Sequence, residues 1–247
     1  VSLPKEELYK VKALEQKISA GDFDAMMKYA EFFENHTEDI TDEIAKKMVK
    51  CYENCLAEGN LTAALNLGAM YYCGEFIPRD FKKAKVYYEM ATESDDEEIS
   101  IRAFCNLGYC YYYGRDIPVD DEKAFYCYLR GAVSNDSNCL YKIGDMFRYG
   151  RFVKQDISMA VFFYQRAWDE VYKSNWSYPD VCKRIGECAL YGIGMKRDLI
   201  LALERLTDAE IYTYKKIKAK DAFAPSLLPR IQEMLAETKK LLQSEEL

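Results

Sequence analysis

A single string, returning at near-regular intervals, constrains this chain more than any other feature. Ala63-x3-Leu67-Gly68-x-Met70-Tyr71-x2-Gly74 recurs, with drift, as Ala103 to Gly114, Cys139 to Gly150 and Val181 to Gly192. In every copy a second Gly follows the first by six residues, an Asp follows six later (Asp80, Asp120, Asp156, Asp198), and an Ala four beyond that (Ala84, Ala124, Ala160, Ala202). The first Gly lies at 68, 108, 144 and 186, so the period is 40, 36 and 42, and the variation falls in the connection after the second half. A weaker copy precedes these, with Ala25 and Ala30 in place of Ala63 and Gly68 and a loop around His36 about two residues longer. A repeat of this length is one supersecondary unit that cannot bury both its faces alone, so the copies must stack.

Each copy reads as two helices. Ala63, Leu67, Met70 and Tyr71 fall at i, i+4, i+7 and i+8, the stripe of a helix buried on one side, here called helix A. Pro78 and its counterpart Pro118 lie in the turn that follows, and Ala84, Tyr87, Tyr88 and Ala91 then mark helix B. The four recurrent Asp residues stand where a helix needs an N-cap, because a carboxylate accepts the unpaired N–H groups of the first turn. Gly21-Asp22 and Gly59-Asn60 read as a helix stop followed at once by a helix start. Ser94-Asp-Asp-Glu97 has the form of a capping box.

Gly68, Gly108, Gly144 and Gly186 sit inside helix patterns, where each costs about 0.8–1 kcal/mol relative to Ala. Close helix contact against Ala84 and Ala91 is expected to offset that cost, with Tyr71, Tyr111, Phe147, Tyr87 and Phe163 filling the space around it. The expectation is all-α: about twelve helices in one right-handed αα superhelix, without a sheet. As one domain over 1–247, it would comprise an N-terminal helix at 4–20, repeats at 21–60, 61–100, 101–138, 139–180 and 181–220, and a capping helix at 225–246. That last helix would open at Ser226, bury Ile231, Leu235 and Leu242, and expose Lys239, Lys240, Glu245 and Glu246.

These residues resemble the Sel1-like repeat, a relative of the tetratricopeptide repeat, over about residues 21–215. The match is specific because four copies share identical internal Gly-to-Gly and Gly-to-Asp spacing. One departure is that the second loop glycine survives only as Gly194; Phe76, Asp116 and Phe152 stand at the corresponding positions. The resemblance implies an αα superhelix that serves as an adaptor or scaffold for other proteins, in a family where enzymes are exceptional. Secreted members stapled by one disulfide per repeat would need paired cysteines at matching positions. The nine here recur at no such pair, and an odd count leaves one over.

Composition narrows the function. Thirty-four Lys and Arg against 41 Asp and Glu give a net charge of −7, with no dense basic block to track phosphates, so nucleic acid is not an expected partner. No stretch approaches 18 uncharged apolar residues, so membrane insertion is not expected either. Free cysteines fit core filler and a reducing cytoplasm. The chain opens on Val1 rather than Met, which leaves export after removal of an upstream leader as the alternative localisation. Cys51 and Cys55 lack the second pair of a closed zinc site, and His36, the one histidine, reads as a solvated loop residue. No cofactor or metal is expected. Trp168 and Trp176 read as packing around the fourth connection.

A groove lined by A helices is the expected binding surface, at positions outside the buried pattern. Those singled out for a protein or peptide ligand are Asn66, Tyr72, Asn106, Tyr109, Tyr112, Tyr113, Lys142, Asp145, Arg148, Tyr149, Arg184 and Glu187. Tyr and Arg are the residue types over-represented at interaction hot spots. The central expectation is that Tyr112 and Arg148 are free of packing and contribute contacts, whereas Tyr111 is core. The alternative is a regulator or enzyme with a small-molecule pocket, in which Asp145 or Glu187 acts beside Arg148 or Arg184. Oligomeric state is not legible.

Overall fold

The computed structural model describes residues 3–245, and among them it contains twelve α-helices and no strand. Two compact units are present, Val1–Val119 and Asp120–Leu247. The first holds α1 (Lys5–Ser19), α2 (Phe23–Glu34), α3 (Asp42–Ala57), α4 (Leu61–Cys73), α5 (Phe81–Ala91) and α6 (Glu97–Tyr113). The second holds α7 (Asp121–Val133), α8 (Ser137–Tyr149), α9 (Ile157–Glu170), α10 (Tyr178–Tyr191), α11 (Leu199–Lys218) and α12 (Leu228–Glu245). The division falls between the A and B helices of the second copy. Within the units the most extensive packing joins the two helices of one copy, α4 with α5, α8 with α9 and α10 with α11, as expected of an αα solenoid.

The recurrent Asp has two tasks, and they explain its fixed spacing. Its carboxylate caps helix B, accepting from the N–H of Lys83, Lys123, Met159 and Leu201 at 2.9, 2.9, 3.0 and 2.9 Å. Its own N–H points backward: Asp80, Asp156 and Asp198 donate to the carbonyls of Tyr71, Phe147 and Ala189 in helix A, at 3.0, 3.0 and 2.9 Å. One residue thus closes the turn at both ends. The second Gly of each copy ends helix A in the left-handed region, with φ of 64, 60, 65 and 67° at Gly74, Gly114, Gly150 and Gly192. Two residues on, Asp116 and Phe152 take φ of 54 and 62°, beside 66° at Gly194. Where the loop glycine is missing in these two copies, a non-glycine residue accepts the strain. Phe152 gains ring contacts in exchange, 5.6 Å from Phe125 and 5.8 Å from Tyr126.

Gly68, Gly144 and Gly186 face rings or a branched side chain first, and the expected alanine contact appears at Gly144, where the Ala160 carbonyl lies 3.1 Å from the Cβ position. A Cβ on Gly68 would stand 2.5 Å from the ring of Tyr88, and one on Gly144 2.6 Å from that of Tyr164; on Gly186 it would meet Leu206 at 2.7 Å. Tyr88 and Tyr164 are fully buried on helix B, twenty residues after their glycines, and the alanines flank them. Around this slot Tyr71 stacks on Tyr87 and Phe147 on Phe163, with centroids 5.8 and 5.7 Å apart. A removed side chain on one helix therefore makes room for a large one on the next.

Two helix starts differ from expectation. Asp96, not Ser94, caps α6, accepting from Glu98 and Ile99 at 2.9 and 3.3 Å, while Ser94 accepts from the Asp96 N–H. The last helix begins at Leu228, after a 3-10 turn over Ala224–Ser226 whose Ser226 hydroxyl donates to Phe223. Ile231 and Leu235 are buried as anticipated, whereas Leu242 is only half-buried; the side chain of Glu245 and the whole of Glu246 lie outside what the structure describes.

Candidate functional site

The expected binding positions lie on the A helices α4, α6, α8 and α10, and the structure divides them sharply. The position two before the first Gly holds Asn66, Asn106, Lys142 and Arg184. In the first unit Asn66 donates to the Tyr52 hydroxyl at 3.1 Å, and that hydroxyl donates to Glu34 at 2.5 Å. In the second, Arg184 reaches Asp145 with Nη2 and Nε at 2.7 and 3.0 Å, and Asp145 also accepts from Tyr164 at 2.9 Å. In these two copies the position ties one repeat to the previous repeat's buried tyrosine, directly at Tyr52 and through Asp145 at Tyr164. Asn106 is half-buried on α6.

Lys142 and Asp145 are 1% and 3% exposed, so their place is inside the stack, not on a free surface. Burial alone would raise the pKa of Asp145. The charges of Arg184 and Lys142, with hydrogen bonds from Arg184 and Tyr164, outweigh it and hold the carboxyl well below its ordinary range. A buried carboxylate already engaged by Arg184, Lys142 and Tyr164 is a poor general acid or base. Arg184 also lies 4.5 Å from the centroid of the Tyr141 ring. Arg148 donates to Glu187 at 2.8 Å, with only 11% and 14% of the two side chains exposed. Tyr112, 8% exposed, packs edge-on against Tyr113. The expectation that Tyr112 and Arg148 are free of packing is therefore corrected: one is core and the other a brace between α8 and α10.

What remains outward is aromatic. Tyr113 at the end of α6 is 44% exposed, and Tyr149 at the end of α8 is 58% exposed. Tyr113 stacks on the half-buried Tyr109, with centroids 6.1 Å apart. Arg115, which sequence reasoning missed, holds this cluster together. Its guanidinium lies 5.3 Å from the ring of Tyr72, 5.6 Å from that of Phe81 and 4.8 Å from that of Tyr113, and it donates to the Tyr72 hydroxyl at 2.7 Å. Its position directly after a loop glycine, shared with Arg151, was the available signal.

Residues outside this set also differ from expectation. His36 stacks on Phe32 at 4.1 Å, donates from Nδ1 to the Phe32 carbonyl at 2.7 Å, and faces Glu7 of α1 at 3.5 Å from Nε2. Trp168 is half-buried under Arg205, but Trp176 is 55% exposed and donates to Asp221. The cysteines are free thiols, eight of them buried and Cys73 exposed. Burial pushes the thiols of Cys51 and Cys188 up to about 11, so they stay protonated and behave as small apolar side chains.

The Sel1 repeat matches residues 61–96, 102–134, 137–169 and 179–204, which together exceed half of the chain. The chain belongs to the Sel1 repeat family. Two solved structures are similar to it. One is a protective antigen present in uropathogenic Escherichia coli strains that displays an SLR fold, at 21% identity and a TM-score of 0.62. This Sel1 repeat chain is matched over 82% of its own length but spans only 42% of that antigen. The other is a Sel1 repeat protein from Oxalobacter formigenes, at 21% identity and a TM-score of 0.60, with 82% of each chain covered. At that identity both establish the fold alone. No curated protein matches the sequence. None of the described helices is long and apolar enough to cross a membrane.

Proposed function

We propose that this Sel1 repeat chain is a non-enzymatic adaptor that holds a protein or peptide partner against its A helices, in the cytoplasm. The supporting observation is Tyr149. It stands 58% exposed at the end of α8, next to Arg148, whose guanidinium is fixed by Glu187. A large ring on a braced helix end offers contact area at little entropy cost, which is what an anchor residue needs. Tyr113, held beside Arg115, offers the same combination in the first unit. The remaining expected positions act as a scaffold behind these rings: Asn66, Asp145 and Arg184 join repeats, Lys142 pairs with Asp145 within α8, and Tyr72, Tyr109 and Tyr112 support Tyr113.

Replacing Tyr149 by Ala tests the reading. Loss of about 2 kcal/mol or more of affinity for a partner recovered from the native host is expected, with the melting temperature nearly unchanged. Tyr126 on helix α7 is 54% exposed and serves as the control, because it lies on a B helix. Equal losses from Tyr149→Ala and Tyr126→Ala, or loss from Tyr126→Ala alone, would contradict the assignment.

A further inference from the structure

One half-buried cation in the second unit makes no direct ion pair. Lys183, Glu187 and Tyr191 recur at four-residue spacing and share a face of α10. Arg148 of α8 pairs with Glu187 at 2.8 Å, and Arg230 of α12 approaches the same carboxylate at 3.8 Å and Glu233 at 3.3 Å. Deeper in the unit, Arg184 takes Asp145 and Asp180, and Lys216 takes Asp180 and Asp221. Lys183 alone in this group makes no hydrogen bond or ion pair with any described residue, although it is half-buried. Its equivalents in the other copies, Leu65, Cys105 and Tyr141, are apolar or aromatic and only 1%, 5% and 3% exposed.

An ammonium drawn out of water without a partner costs stability. Burial, and then the neighbouring Arg184 guanidinium, push the Lys183 pKa below its ordinary value, and the carboxylates of Glu187, Asp145 and Asp180, each already engaged by an arginine, only partly offset them. At the margin Tyr149 and Tyr191 are 58% and 40% exposed, and the Tyr191 hydroxyl is fixed by Glu237 at 2.7 Å. Two outward rings therefore border an ammonium without a directly bonded carboxylate.

We propose that this face, formed by Arg148, Lys183, Glu187 and Arg230 between Tyr149 and Tyr191, binds an acidic peptide segment whose Asp or Glu side chain pairs with Lys183. The inference rests on the adaptor reading and narrows it to one partner chemistry. Bringing a carboxylate to Lys183 completes the ion pairing of the face, and the peptide's neighbouring apolar atoms cover the rings.

Panning the full chain against a phage-displayed library of random peptides, displayed without free C-termini, tests it. Selected sequences should be enriched in Asp and Glu. A synthetic copy of one, followed by fluorescence anisotropy, should bind at least about tenfold more weakly to Lys183→Met, bind Lys183→Arg nearly as the parent, and weaken as salt rises. Lys183→Met should melt at the same temperature or higher. Replacing Glu by Gln in the peptide probes the same contact without altering the protein, and should cost a similar factor. Peptides selected without acidic enrichment, or an acidic peptide that tolerates both changes, would overturn the inference while leaving the adaptor reading in place. A library that yields no binder would likewise overturn the inference, while the adaptor reading is decided separately by Tyr149→Ala.

Discussion

Glycine and tyrosine at fixed separation are the smallest unit of explanation in this fold. Gly144 surrenders helix propensity, and the ring of Tyr164 occupies the volume that its side chain would have filled. Gly144→Ala is therefore expected to destabilise by about 1–3 kcal/mol in denaturant titration, although Ala is the better helix former by about 1 kcal/mol. A neutral or stabilising result would mean that the ring yields freely. His36 supplies a second residue-scale test. Its hydrogen bond to the Phe32 carbonyl and the charge of Glu7 raise its pKa above the ordinary value near 6.5. A raised folded pKa gives stability that is fully present below the unfolded value and lost as pH rises through the folded one. Thermal melts should therefore show the parent losing stability between about pH 6 and 8, and His36→Gln should flatten that dependence. Neither feature was equally visible in the sequence. The Gly at 144 and Tyr at 164 are both in the pattern, but their facing needs the packing angle of the two helices, which spacing does not supply. His36 looked solvated because its sequence neighbours are polar, while its actual partner, Glu7, is contributed by α1.

At the scale of helices, the legible part was whatever a local rule dictates. The recurrent Asp caps, the glycine stops and the helix pairs follow from backbone chemistry within a few residues, and they stand where expected. Side-chain facing on the A helices was less legible. A position outside the apolar stripe of its own hairpin is not thereby solvent-facing, because the next hairpin covers it; Asp145 and Arg184 show this, as does Asn66 on Tyr52. The sign that could have revealed it is a polar residue two before the first Gly in every copy, amid apolar neighbours. Asp145→Ala is expected to cost about 3–5 kcal/mol, since it removes the buried counter-charge of Lys142 and leaves Arg184 with Asp180 alone. The depressed pKa of Asp145 adds a sign: its stabilisation is present above the unfolded carboxyl pKa and is lost as pH falls through the folded value, below the ordinary range. Acid titration followed by circular dichroism should show the parent holding to lower pH than Asp145→Ala. Coincident acid transitions would mean that the buried pairing contributes little.

For the whole molecule, the fold reduces to one device used repeatedly, and function is what the repeats leave unspent. Buried tyrosines, helical glycines and capping aspartates recur in both units, whereas Tyr113, Tyr149 and Tyr191 turn large rings outward from the ends of A helices. Rings are exposed on B helices too, Tyr126 and Phe162 among them at 54% and 52%, so exposure by itself does not choose between the faces. The proposal for the A-helix face rests instead on the braced charges beside Tyr113 and Tyr149. The decisive measurement is site-specific photo-crosslinking in the native host, with a benzophenone side chain placed singly at Tyr113, Tyr149, Tyr191, Tyr126 and Phe162. Cross-links to one and the same protein partner from Tyr113, Tyr149 and Tyr191, with none from Tyr126 or Phe162, are the expected result. Cross-links from Tyr126 and Phe162 with silence at the three A-helix sites would contradict the account and move the binding surface to the B helices.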